Sequence, residues 1–147
     1  EKNISHNELK IFSKEVIKIC KPNNVKVIIN SNEKLAHEIK ADGVHLTSKD
    51  LLNARVKPKN LIVAASCHTQ EEIDIAEKID VDFLVLSAVK KTLSHPNISP
   101  IGWKKFKKMA NKSSTPIYAL GGLGDFDYQS AIENGGIGIA SQRLIWK

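Results

Sequence analysis

Between Leu84 and Gly102 the sequence reads LVLSAVKKTLSHPNISPIG. An apolar run gives way to Ser87, Lys90, Lys91, Thr92, Ser94 and His95, then closes on Pro100 and Gly102 ahead of a lysine-rich segment. Hydroxyls and ammonium groups donate hydrogen bonds to anions, and an imidazole donates, accepts or carries charge according to pH. A buried strand that ends in such groups is where an α/β protein places a small-molecule site. The plainer alternative is a long surface loop made basic by a lysine-rich composition.

Comparable chemistry recurs along the chain, always after a short apolar run. Asn30-Ser31-Asn32 follows the first run, and the second ends in His45 and Thr47-Ser48-Lys49-Asp50. Ser66-Cys67-His68-Thr69 follows the third, Gly121-Gly122 the fifth and Ser141-Gln142-Arg143 the sixth. A glycine pair lets backbone N–H groups approach an anion, so Gly121-Gly122 reads either as a phosphate nest or as a plain turn. His68 reads as a group at the mouth of a site or as a cap on the segment starting near Gln70.

The elements that must position these residues alternate. Helical periodicity predicts helices over Asn7–Cys20, Glu33–Lys40, Gln70–Ile79, Gly102–Asn111 and Phe126–Glu133. In the first, Leu9, Phe12, Val16 and Ile19 form the apolar stripe, with Ser5 or Asn7 as N-cap. In the fourth, Trp103, Phe106 and Ala110 share a face, which reads as core. Short apolar runs predict strands at Val25–Ile29, Gly43–Leu46, Leu61–Ala65, Phe83–Leu86, Pro116–Leu120 and Gly136–Ala140. The first reads as buried on both faces, and Thr47–Asp50 as a turn. Alternation at this spacing implies parallel strands with right-handed crossovers, either an open doubly wound sheet or part of a (β/α)₈ barrel. The 147 residues form one domain, without linker, and are short for a full barrel of ~200 residues or more.

Composition narrows the classes. Hydrophobic residues make up 41% and charged residues 26%, an ordinary globular balance. No apolar run approaches the ~20 residues of a membrane span, and the polar opening EKNISHNELK does not read as a signal peptide. The net charge of +6 is spread over helix-spaced lysines, so it reads as solvated faces and not as a nucleic-acid surface. Cys20 and Cys67 have neither CxxC nor metal spacing and read as small buried thiols of a reducing, cytoplasmic compartment.

Taken together and in order, ADGVHLTSKDL (41–51), ASCHT (65–69), VKKTLSHP (89–96), YALGGL (118–123) and the closing GIGIASQRLIW resemble the thiamin phosphate synthase and thiazole tautomerase superfamily. The branch found as the carboxyl-terminal domain of Nudix-hydrolase fusions is the nearest in pattern. The resemblance implies a TIM-type (β/α)₈ barrel present as about six βα units, its first strands missing, with Glu1-Lys2 left from an Arg-x-Lys-like segment. It implies a transferase that joins hydroxymethylpyrimidine pyrophosphate to thiazole phosphate, working on phosphorylated small molecules. Homo-oligomerisation stays open.

Carried over by resemblance, Thr92, Ser94, His95, Ser66 and Arg143 would hold pyrophosphate. Asn30 would contact the pyrimidine substrate and Gly121 and Gly122 the thiazole phosphate, with Lys2 and Ser141 as further substrate-binding residues. Asp50 would be the Mg²⁺ ligand. Ser31 stands where the family has a second metal-binding Asp, which weakens the implied Mg²⁺ site, and His95 stands where it has a lysine. Two other readings are a non-catalytic phosphate-binding barrel attached to a Nudix hydrolase, and a tautomerase-like isomerase using His45, His68 or His95.

Overall fold

A computed structural model describes residues 4–92 and 99–141. Six parallel strands form one sheet in strict chain order: β1 Ile28–Asn30, β2 Gly43–Leu46, β3 Ile62–Cys67, β4 Phe83–Leu86, β5 Ile117–Leu120 and β6 Gly138–Ala140. The helices are α1 His6–Cys20, α2 Glu33–Ile39, α3 Ser48–Asn53, α4 Gln70–Lys78, α5 Gly102–Ala110 and α6 Tyr128–Glu133. Right-handed crossovers between strands laid down in sequence order put every connecting helix on one side of the sheet. The sheet is therefore a parallel half-barrel, and the doubly wound alternative falls because its strand order would reverse at a switch point.

Strand residues alternate between two faces. Val44, Val63, Leu84 and Ile117 face the helices and are buried with Leu51, Ile73 and Phe106 in the main apolar cluster. Each such side chain contributes about 1.5–3 kcal/mol when fully buried. The alternate positions carry His45, Ser66, Phe83 and Tyr118, the last two in edge-to-face contact at 5.4 Å between ring centroids. A smaller cluster of Ile29, Leu35, Ala36, Ile39 and Ala41 seats α2 on β1, with Leu9 and Ile17 of α1 packed against it.

Several elements differ from their expected form. Phe12 and Ile19 of α1 are exposed, and Ile17 packs instead, so the apolar stripe lies about one position away from the expected one. Ser5 is its N-cap, in a reciprocal capping box with Glu8. β1 starts three residues late because the Asp42 carboxylate takes the Val27 N–H at 2.9 Å, and the Val25–Ile29 run is not buried on both faces, since Val25 is exposed and Ile28 only half-buried. Thr47–Asp50 is the capped first turn of α3 and not a free turn. β3 runs on through Ser66 and Cys67, so both side chains belong to the strand and not to its loop. Phe126 lies in a 3-10 turn, fully exposed, and α6 begins at Tyr128.

Candidate active site

Parallel strands bring all their carboxyl ends to one edge, and the polar residues gather there. Asn30 is the last residue of β1, His45 the third of β2, and Ser66 the fifth of β3. His45 pairs in register with Ala64, so Ser66, two residues further on, shares its face as a diagonal neighbour. The Ser66 Oγ and His45 Nε2 atoms lie 3.0 Å apart. Burial pushes the His45 imidazole below its ordinary pKa against the opposing pull of Asp50, so it is neutral at pH 7.

Asp50 is fixed from two directions. Thr47 caps α3, and the Asp50 Oδ2 atom answers by accepting from the Thr47 N–H at 3.1 Å and its hydroxyl at 2.6 Å. Ser31 takes up a left-handed backbone (φ 56°), donates its N–H to the His45 carbonyl at 2.9 Å, and donates its hydroxyl to the same Oδ2 at 2.6 Å. The Ser31 hydrogen bond, then those of Thr47, hold the Asp50 carboxyl below the usual carboxylate range. Asp50 is thus part of a helix cap as well as a candidate ligand. Its Oδ1 atom takes no hydrogen bond among the described residues.

This donor set bears on Mg²⁺. Among the described residues no group of three or more His, Cys, Asp or Glu side chains is placed to hold a metal ion. One carboxylate oxygen beside a serine hydroxyl is a poor stand-alone cage. It fits the commoner Mg²⁺ arrangement, in which one or two carboxylates and the substrate's own phosphates share the ion with water.

Further along the edge, His68 Nδ1 lies 3.0 Å from the Ser87 carbonyl and 3.2 Å from its hydroxyl. The loop after β5 packs against the loop after β4: Val89 and Lys90 donate their N–H groups to the Leu120 and Gly121 carbonyls, each at 2.9 Å. Gly121 and Gly122 adopt φ of +104° and +65°. A Cβ on Gly121 would sit 2.7 Å from Ala88 Cα, and one on Gly122 would sit 2.4 Å from the Lys91 carbonyl. The pair is therefore more than a turn: it permits close contact between two site loops. Lys90 reaches Asp127 at 2.6 Å, and Ser141 donates to the Leu123 carbonyl at 3.5 Å.

The described candidates thus fall into two linked groups. Ser31, His45, Asp50 and Ser66 connect across β1–β3, and Lys90, Gly121, Gly122 and Ser141 gather across β4–β6, with His68 and Ser87 between. Thr92 is half-buried beside the second group's loop. Lys2, Ser94, His95 and Arg143 lie outside the described residues.

Sequence reasoning missed Glu72, which is buried and accepts from the Ser48 hydroxyl and from the N–H groups of His68 (2.5 Å) and Thr69 (3.2 Å). The capping-box spacing Thr69-x-x-Glu72 was its available signal. Cys67 is buried, and burial, then the charge of Glu72, pushes its thiol up to about 12, so it is no nucleophile at neutral pH. Cys20 is only half-buried.

A family model described as thiamine monophosphate synthase (TMP-TENI) matches residues 1–145. The chain is 38% identical over 143 residues to the putative thiamine-phosphate synthase 2 of Aquifex aeolicus, covering 95% of this chain and 76% of that protein. It is 36% identical over 125 residues to the thiamine-phosphate synthase of Coprothermobacter proteolyticus, covering 83% of this chain and 59% of that protein. The thiamine phosphate pyrophosphorylase structure from Pyrococcus furiosus superposes with a TM-score of 0.79 at 24% identity, covering 97% of this chain and 69% of that one, and so shares its fold. These names give no support to the expected Nudix association. Among the described residues no helix is long and apolar enough to cross a membrane.

Proposed function

The chain belongs to the thiamine monophosphate synthase family, and we propose that it carries the later six βα units of an eight-stranded barrel that joins hydroxymethylpyrimidine pyrophosphate to thiazole phosphate. The observation that carries this reading is the run of polar groups along the carboxyl edge of the sheet, from Ser31 through Ser66 and Ser87 to Gly122 and Ser141. An edge of that length suits a substrate pair with anionic groups at both ends.

In the reaction the pyrimidine CH₂–O bond breaks and pyrophosphate departs with the electron pair. The thiazole nitrogen supplies the pair for the new C–N bond. No side chain need act as nucleophile, so catalysis rests on positioning both substrates and stabilising the charge on the departing group. Ser66, with Thr92, Ser94, His95 and Arg143, would donate to the diphosphate. Asn30 and Lys2 would hold the pyrimidine end. Gly121 and Gly122 would offer backbone N–H groups to the thiazole phosphate, with Ser141 beside them. Mg²⁺ would be held by Asp50 together with the diphosphate, and when bound supplies positive charge to the departing oxygens.

The reading is tested by following pyrophosphate release from the intact gene product. Release that needs both substrates together is expected. Release from the pyrimidine substrate alone would identify a hydrolase instead.

A further inference from the structure

We propose that His45 is a positioning residue that donates its Nε2–H to Ser66 Oγ and so turns the Ser66 hydroxyl proton toward a bound diphosphate. The inference rests on the reading of Ser66 as a diphosphate donor, and it adds to that reading the group that decides what Ser66 can donate.

The geometry supplies the coupling. The two side chains share the helix-free face of adjacent strands, and their polar atoms are 3.0 Å apart. Both are half-buried. The His45 backbone is itself held, since its carbonyl accepts from the Ser31 N–H at 2.9 Å. A neutral imidazole carries one N–H, so the contact has two forms with opposite consequences. If the proton sits on Nδ1, Nε2 accepts the Ser66 hydroxyl proton and leaves only oxygen lone pairs facing the site. Those lone pairs would repel a diphosphate. If the proton sits on Nε2, the imidazole donates to Ser66 Oγ, and the serine proton is free to point at the anion. A donor chain of this kind also polarises each bond in it. The reaction requires no serine nucleophile, so nothing favours the first form once the anion is bound.

The test uses inorganic pyrophosphate and the intact gene product. With ¹⁵N-labelled histidine, NMR is expected to show His45 as the Nε2–H tautomer in the pyrophosphate complex. By calorimetry, His45→Phe is expected to weaken pyrophosphate binding about tenfold, as loss of a hydrogen bond to a charged group does. His45→Gln, whose amide nitrogen can reach the Nε2 position, is expected to stay within about threefold of the parent protein. The double variant with Ser66→Ala is expected to be no weaker than Ser66→Ala alone, because the two side chains act as one unit. In turnover, His45→Phe is expected to lower kcat with the KM for thiazole phosphate unchanged. An Nδ1–H tautomer in the complex, or losses that multiply in the double variant, would overturn the inference. The tautomer is read on the unmutated protein, so it decides the matter even if a variant fails to fold. Failure of the parent protein to bind pyrophosphate would instead remove the reading of Ser66 on which the inference stands.

Discussion

At the scale of single residues, the most informative change is Ser31. Its hydroxyl is the first cause of the depressed Asp50 pKa, and the two side chains are 2.6 Å apart. The sign of the effect on stability follows from linkage. The folded pKa lies below the ~3.9 of an unfolded chain, so the stabilising contribution is complete above about pH 4 and is lost as pH falls through the folded value. Replacing Ser31 by Ala is expected to raise the Asp50 pKa, seen by NMR of the carboxyl carbon, and to cost about 1 kcal/mol at pH 7. An unmoved pKa would show that the Thr47 cap alone sets it. Replacing Ser31 by Asp instead places a second carboxylate beside Asp50, and Asp tolerates the left-handed backbone there. The Mg²⁺ concentration giving half-maximal activity is then expected to fall about tenfold, and no change would mean that Asp50 does not meet the ion. Ser31 and Asp50 were both visible in the sequence as polar residues after strands. Their hydrogen bond was not, because 19 positions separate them and only the pairing of β1 with β2 brings the two loops together.

At the scale of elements, the caps and the loop glycines do the positioning. The strands β2 and β4 were legible to the residue, since Phe83–Leu86 is a uniform apolar run, Gly43–Leu46 is apolar but for His45, and turn residues flank both. The start of β1 was not, because the hydrogen bond that stops it comes from Asp42, a residue in the next unit. The same reason hid one part of the role of Glu72: its cap on Thr69 was signalled locally by the spacing, but its bond to Ser48, on another helix, was not. Replacing Glu72 by Ala is expected to destabilise the protein by about 1–3 kcal/mol in urea, from a lost cap and unpaired N–H groups. The glycine pair offers a sharper comparison. Gly121 combines a positive φ with backbone 2.7 Å from where a Cβ would sit, while Gly102 has a positive φ of 69° and open space around it. Gly121→Ala is therefore expected to cost about 2–4 kcal/mol and Gly102→Ala about 1 kcal/mol. Equal losses in urea titrations would show that the loops after β4 and β5 can separate at little expense.

At the scale of the whole molecule, alternation of apolar runs and helical stretches was enough to predict parallel strands. The choice between an open sheet and a barrel needed the strand order, which periodicity does not carry and the observed sequential pairing supplies. The resemblance carried by the ordered motifs pointed to a barrel earlier, and the observed sheet is a six-stranded parallel half-barrel consistent with it. Strand order also explains why the site is spread over the whole chain: each unit contributes one loop to a common edge. The central claim is that this edge joins two phosphorylated substrates. It is tested most directly by supplying hydroxymethylpyrimidine pyrophosphate and thiazole phosphate to the intact gene product, with Mg²⁺ or with a chelator, and detecting thiamin phosphate. Product that forms with Mg²⁺ and fails with the chelator is the expected result. A folded protein that binds both substrates and yields no thiamin phosphate under either condition would contradict it.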